Sequence, residues 1–332
     1  MKKDFENHGK PIRVTVYDCG GRGGMNEKWL FFPLALNYVS FDPEPNAINE
    51  LHAIQHSYHK SNPNIQFTIE NYALAEKNGT QNLNVYSSPD LSSFYEIDTE
   101  ATHRYRNNRI ELIKQVDVNC DTLDNISARR NEQPDFLSID TQGTEILVLS
   151  GAEQILTNSV ISLRCEVEFV SLYRKQPLFD QVWRYLADRG FRLIRFDKTG
   201  SGEPGISTDA GPFSLAIEDA ALAWADAIFF RNPDLIELEK MPQADAAAWI
   251  LKYVMFSLVN DCGSIGLDLL WQYAQKKQLL NLLSNLPDSE RDTLVQSVEA
   301  YLEGVEIAEW QTEPHYLKWY QKARQQLREE LA

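Results

Sequence analysis

Three short segments place acids where apolar runs end. The first is Val14-Thr15-Val16-Tyr17-Asp18-Cys19-Gly20-Gly21-Arg22-Gly23-Gly24, an apolar run that finishes in a carboxylate and enters a glycine-rich turn. The second, Asp135-Phe136-Leu137-Ser138-Ile139-Asp140-Thr141-Gln142-Gly143-Thr144-Glu145, repeats the pattern and leads into an apolar-periodic stretch. The third is Cys165-Glu166-Val167-Glu168-Phe169. Glycines let the backbone turn tightly and approach a ligand closely. Carboxylates accept hydrogen bonds from a ligand's hydroxyls or take a proton from a hydroxyl nucleophile. Asp140 leads as a general base, with Glu145 and Glu166 behind it. Glu145 equally suits the first turn of a helix, where an acid is electrostatically favoured. Glu166 and Glu168 share one side of a strand because side chains alternate, and equally suit plain surface charge. His103 is a further candidate base, although its basic run, His103 to Arg109, also reads as a solvated helix face.

These residues need a scaffold that carries strand ends to one place. Strand patterns cover residues 12–19, 38–41, 65–69, 83–86, 115–120, 136–139, 160–168, 192–196 and 225–230. Helical patterns cover 46–56, 145–156 and 178–189. Strands alternating with helices imply a mostly parallel, doubly wound sheet with helices on both faces. In such sheets ligands bind at the strands' carboxyl ends. Pro45 suits a first helical position and Gly190 a helix end. The Gly-, Ser- and Pro-rich stretch 198–211 reads as a surface loop. After Asn232-Pro233 no strand pattern remains, and 246–259, 267–283, 289–302 and 314–331 read as amphipathic helices. A domain boundary is therefore expected near residue 235, giving 1–235 and a helical extension over 236–332. Trp249, Trp271, Trp310 and Trp319 fall in that tail, where packing between helices is their ordinary use.

The glycine turn by itself fits several nucleotide sites. A P-loop is excluded because no Gly-Lys-Ser/Thr ending follows. A dinucleotide site needs a ribose-binding acid about 20 residues on, and Asp42 at the second strand's end can fill that place. Asp18 argues otherwise, because a carboxylate at the first strand's end repels a pyrophosphate. It suits S-adenosylmethionine, which carries a sulfonium, an ammonium and no phosphate. On this reading Asp18 and Gly20 hold the methionine part, Gly21 and Gly24 complete the cofactor-binding turn, and Asp42 holds the ribose. Ala73 and its neighbours line the adenine, and Ser92 and Ser93 close over the site. No metal ligand set is assigned, although acids clustered at strand ends would also accommodate Mg²⁺.

The 332-residue chain carries a net charge of −16, with a pI near 4.9. Nucleic-acid binders need a basic footprint, so DNA and RNA are poor candidate substrates. Anionic membrane is a poor candidate for the same electrostatic reason. No apolar run approaches the roughly 20 residues of a membrane span. Residues 1–10 are polar and charged, unlike a secretory signal, and a cytoplasmic location is expected. Cys19, Cys120, Cys165 and Cys262 show no paired spacing, so neither a zinc site nor a disulfide framework is expected.

Taken in order, these segments resemble the FkbM-like family of methyltransferases over roughly residues 12 to 197. Asp18, Gly20, Gly21 and Gly24 stand in its Asp-x-Gly-Ala-x-x-Gly motif, and Phe41-Asp42-Pro43 in its aromatic-Glu-Pro motif. Ala73-Leu74 with Asn78-Gly79, Thr122-Leu123-Asp124, Glu166 to Phe169, Pro177 to Phe179 and Gly190-Phe191 match further elements. Ile139, Asp140, Gly143 and Glu145 match its Lys-Ile-Asp-x-Glu-Gly-x-Glu motif, whose Lys stands here as Ser138 and whose middle Glu stands as Gln142. The resemblance implies a Rossmann-like class I fold with S-adenosylmethionine as cofactor. It also implies O-methylation of a sugar, glycan or related small-molecule hydroxyl. The tail lies outside the resemblance and is a candidate surface for a homo-oligomer or a protein partner. Two other readings stay open: an NAD-dependent oxidoreductase on the same fold, and a vestigial methyltransferase-like assembly partner.

Overall fold

A computed structural model describes residues 11–99, 110–201, 222–304 and 314–331. The basic run 103–109 with His103, residues 202–211 of the Gly-rich stretch, and Trp310 lie outside the described residues. Ten strands are described: β1 (Arg13–Cys19), β2 (Ala35–Phe41), β3 (Ile65–Glu70), β4 (Ala73–Leu74), β5 (Gly79–Tyr86), β6 (Leu112–Asp121), β7 (Phe136–Ile139), β8 (Ser162–Glu168), β9 (Phe191–Ser201) and β10 (Leu222–Arg231). Seven form one sheet in the order β3-β2-β1-β7-β8-β10-β9, and β4-β6-β5 form a second, smaller sheet. The pairs β2–β3, β1–β7 and β7–β8 are parallel, whereas β10 runs antiparallel to both β8 and β9. This is the expected doubly wound, mostly parallel architecture. The strand order turns back between β1 and β7, where neighbouring crossovers part and leave a crevice beyond the strand ends.

Alternation along each strand separates two faces. Tyr17, Cys19, Leu137, Ile139, Leu163 and Cys165 point to one face and pack with Leu123, Ile126, Val148, Leu149, Val182 and Leu186 from the covering helices. Burying a large apolar side chain of this kind contributes about 1.5–3 kcal/mol, so the apolar face fixes which strand residues turn the other way. Those include Asp18, Ser138 and Arg164, which sit at cross-strand positions on β1, β7 and β8.

Several elements differ from the sequence expectations. The stretch 145–156 is two helices, Glu145–Ser150 and Glu153–Asn158, divided at Gly151. A side chain at Gly151 would meet the Ala75 carbonyl at 2.2 Å, so close backbone approach requires glycine at this break. Strand β9 runs to Ser201, into the stretch expected to be loop, because it pairs with β10 as far as Leu222. In the tail, 267–283 is divided into Gly263–Gln275 and Leu279–Leu283, with Lys277 at a left-handed φ of 56° between them. Helices Glu27–Leu30 and Leu123–Arg130 were not anticipated. All four cysteines are buried and free.

The chain divides into two compact units. Among the described residues, one is made of those in Thr15–Leu30 and Leu36–Asn232; the other contains those from Pro233 onward, with Phe31–Ala35 and residues 11–14. The second unit centres on helix Gln243–Val259, whose Ile250, Leu251, Val254 and Phe256 are buried. Phe32 stacks on Phe256 at 5.9 Å, and the Ile12 amide donates to buried Glu290 at 2.8 Å. Trp249 stacks on Tyr253 at 5.2 Å, a packing role.

Candidate active site

The crevice at the switch point holds a cavity of about 220 Å³, lined by residues from the turn after β1, the end of β2, the small sheet and the loop after β7. Gly20, Asp42, Ala73, Ser93 and Asp140 are on its wall, together with Arg22, Glu44, Asp90, Ser92 and Gln142. Gly20 makes the floor possible. Its φ is +83°, and a Cβ there would lie 1.8 Å from the Asp140 carbonyl oxygen. Only glycine lets the β1 turn and the β7 turn touch in this way.

The end of β2 is held by helix Pro45–Ser61, which begins at Pro45 as expected. Buried Glu44 is its N-cap and accepts from the Asn46 and Ala47 amides at 3.1 and 3.2 Å. Asp42 accepts from the Glu44 amide at 2.8 Å. Burial pushes its carboxyl up to about 6, against the pull of that amide and of nearby Arg22. Arg22 lies within 3.4 Å of Glu44, 3.6 Å of Glu50 and 3.7 Å of Asp90.

Asp18 is placed differently from the expectation. It is buried and absent from the cavity wall, and its hydrogen-bond partners are Tyr38 and Ser138. Burial raises its carboxyl to about 6, with those hydrogen bonds and Arg164 opposing. Arg164 also faces Asp226, at 3.6 Å, and Asp140. Asp18 thus belongs to a polar row under the site, where a carboxylate balances a half-buried guanidinium. Gly21 and Gly24 are likewise off the wall. Side chains there would meet Ser40 at 1.9 Å and Ile54 at 2.3 Å respectively, so they serve close packing of the turn.

The four acids after β7 and on β8 differ in their surroundings. Asp140 lines the cavity. Gln142 donates to Asp140 Oδ1 at 2.7 Å and to Glu166 Oε2 at 2.9 Å, and its own Oε1 accepts from Tyr173 at 3.0 Å. Its backbone is left-handed, φ 56°, a conformation unusual for a non-glycine residue that aims this amide between the two acids. Glu166 is raised well above the ordinary carboxylate range by burial and by Asp140 and Glu168 beside it; Glu168 is raised too, by burial and then by Glu145. Neither is on the cavity wall. Glu145 is buried, and one oxygen accepts from the Thr141 amide at 3.0 Å, the Thr141 hydroxyl at 3.2 Å and the Gly143 amide at 3.1 Å. Burial pushes it up to about 7, with Asp140 adding to the rise. The helix-start reading describes this geometry: Glu145 shapes the loop that presents Asp140.

The small sheet supplies the remaining wall. Ala73, Leu74, Leu83 and Phe94 give an apolar surface, and Tyr72 closes its edge. Ser93 donates to the Gln142 carbonyl at 2.7 Å and accepts from the Tyr95 amide at 3.1 Å, so its hydroxyl ties two walls together. Sequence reasoning missed Arg22, Glu44 and Asp90 as wall residues. Arg22 sits inside the glycine turn and Glu44 directly before a helix-starting proline, which were usable signals. No sequence signal points to Asp90. Among the described residues no group of three or more His, Cys, Asp or Glu is arranged to hold a metal.

The family model described as the methyltransferase FkbM domain matches residues 18–193, more than half of the chain. Among solved structures, the FkbM methyltransferase of Methylobacillus flagellatus KT aligns at 13% identity and a TM-score of 0.38, over 68% of this chain and 46% of its own. The chain thus spans under half of that protein. A TehB-like SAM-dependent methyltransferase from Corynebacterium glutamicum aligns at 11% identity and a TM-score of 0.27, over 67% of this chain and 83% of its own. No curated protein matches the sequence.

Proposed function

The chain belongs to the FkbM methyltransferase family, and from that premise we propose that it transfers the methyl group of S-adenosylmethionine to a hydroxyl oxygen of a sugar, glycan or similar small molecule. The charge of the cavity carries this reading. Asp42, Glu44, Asp90 and Asp140 line it against a single lysine or arginine, Arg22. Such a wall attracts a sulfonium and an ammonium and repels a pyrophosphate. The argument against a dinucleotide therefore rests on these four acids rather than on Asp18.

The cofactor, when bound, supplies an activated methyl carbon that an oxygen nucleophile displaces from sulfur. The chain's part is to position the reactants, exclude water and receive a proton. In this reading Asp42 accepts hydrogen bonds from ribose hydroxyls, and Ala73, Leu74 and Leu83 cover a base; their presence on the cavity wall supports it. Asp140 receives the acceptor's proton: it is on the wall, and Gln142 fixes one of its oxygens. Glu166 and Glu145 act on that group through Gln142 and through the loop backbone, as positioning residues.

Calorimetric titration with S-adenosylhomocysteine, with NAD as control, tests the cofactor. Micromolar binding of the first and none of the second is expected; binding of NAD alone would sink the proposal. A mass-spectrometric screen of hydroxylated acceptors then tests the reaction. Asp140→Asn should weaken S-adenosylhomocysteine only by the loss of one of four wall charges, while methyl transfer falls by about 10²-fold or more.

A further inference from the structure

The segment over residues 87–94 crosses the crevice as a strap. Toward one end Asp90 lies 3.7 Å from Arg22 in the turn after β1. At the other, the Ser93 hydroxyl donates to the Gln142 carbonyl in the loop after β7, at 2.7 Å. Those two loops meet at Gly20 and Asp140, where the sheet order turns back. Ser92 sits between the two ties and lines the cavity.

The hydrogen bonds of the neighbouring side chains are accounted for. The Thr141 hydroxyl donates to Glu145 and the Thr144 hydroxyl to the Thr141 carbonyl. Both Gln142 amide hydrogens and its oxygen are engaged, and so is the Ser93 hydroxyl. Of the serine, threonine and amide side chains on the wall, Ser92 is the exception: its hydroxyl oxygen is buried and has no hydrogen-bond partner among the described residues. A buried hydroxyl left this way is unfavourable, because its lost hydration is not replaced. It turns about a single bond, so a ligand in the cavity can supply the missing partner.

The chemistry of that partner follows from the lining. Four acids serve cationic and hydroxyl groups, but a carboxylate entering this cavity needs a donor. Arg22 is already surrounded by Glu44, Glu50 and Asp90. We propose that Ser92 is a ligand-binding residue whose hydroxyl donates to the carboxylate of the cofactor's amino-acid portion, beneath the strap and over the β1–β7 switch point. This inference rests on the S-adenosylmethionine reading given above.

The test compares two probes on the full-length chain. S-adenosylhomocysteine carries the amino-acid portion, whereas 5′-methylthioadenosine keeps the nucleoside and sulfur and lacks it. Ser92→Ala should weaken S-adenosylhomocysteine by about tenfold or more, the worth of a hydrogen bond to a charged group. Binding of 5′-methylthioadenosine should be unchanged, which also shows that the variant's cavity is intact. Unchanged affinity for S-adenosylhomocysteine overturns the inference and leaves the cofactor reading standing. Equal loss for both probes also overturns it, because Ser92 then serves the nucleoside or the scaffold. If the wild type binds neither probe, the cofactor reading fails and this inference fails with it.

Discussion

Asp42→Asn is the sharpest perturbation of the cofactor site, because its effect should depend on pH in a calculable way. Burial holds the Asp42 carboxyl up at about 6. At pH 8 it is ionised; one oxygen takes the Glu44 amide at 2.8 Å, and the group retains capacity for a ribose diol. Loss of hydrogen bonds to a charged group costs about 1.5–3 kcal/mol, so the variant should bind S-adenosylhomocysteine about 10- to 100-fold more weakly at pH 8. One pH unit below its midpoint, at pH 5, roughly a tenth of wild-type Asp42 is ionised. The wild type therefore loses about tenfold of its advantage between pH 8 and pH 5, while asparagine does not titrate. Asp18, at about 6, and Glu145, at about 7, titrate nearby but are off the wall and present in both proteins. Their contributions largely cancel in the ratio of the two affinities. Calorimetry at both pH values, in buffers of different ionisation heat, reads the affinities and the proton release together. Equal affinities at pH 8, or a ratio that does not shrink at pH 5, would refute the ribose assignment.

Other outcomes follow from single contacts. Gly20→Ala must place a methyl 1.8 Å from the Asp140 carbonyl at φ +83°; a loss of at least about 2 kcal/mol in urea unfolding is expected, with loss of S-adenosylhomocysteine binding. Glu145→Gln should stabilise the apoprotein at pH 8. The three hydrogen bonds reach a single oxygen, which an amide reproduces, and the glutamine lacks the buried charge. Because the folded Glu145 carboxyl is raised from 4.5 to about 7, its contribution to stability is full below about pH 4 and is lost as pH rises through 7. The variant's advantage should approach about 3 kcal/mol at pH 8 and vanish near pH 4; denaturant midpoints at the two pH values check this. Gln142→Ala removes the amide between Asp140 and Glu166, so methyl transfer should fall more than S-adenosylhomocysteine affinity does, measured as kcat against Kd.

Much of the frame was legible in the chain. Strand periodicity located the strands of the large sheet, and the glycine turn after β1 announced a close backbone approach. Asp42 and Asp140 were identifiable as acids at strand ends and do reach the cavity wall. What periodicity gives is the face a side chain takes, not its neighbour on the next strand. Asp18 illustrates this: the pattern places it at the carboxyl end of β1, but its partners, Tyr38 and Ser138, come from β2 and β7. Glu145 reads equally as a base or as a helix-start acid until the Thr141 and Gly143 amides are seen to converge on it.

The sequence by itself determined the strand–helix alternation, the glycine that lets two turns meet, and the surplus of acids, because these depend on local sterics and composition. Tertiary structure decided which acids face the ligand and which are locked into the scaffold. It also decided that Ser93 is engaged while Ser92 is left without a partner among the described residues, and that Gln142 joins Asp140 to Glu166. Those outcomes depend on strand order and on where the small sheet's strap lands. Hydrogen-bond satisfaction is a property of all the groups that converge on a point, and these come from segments far apart in the chain.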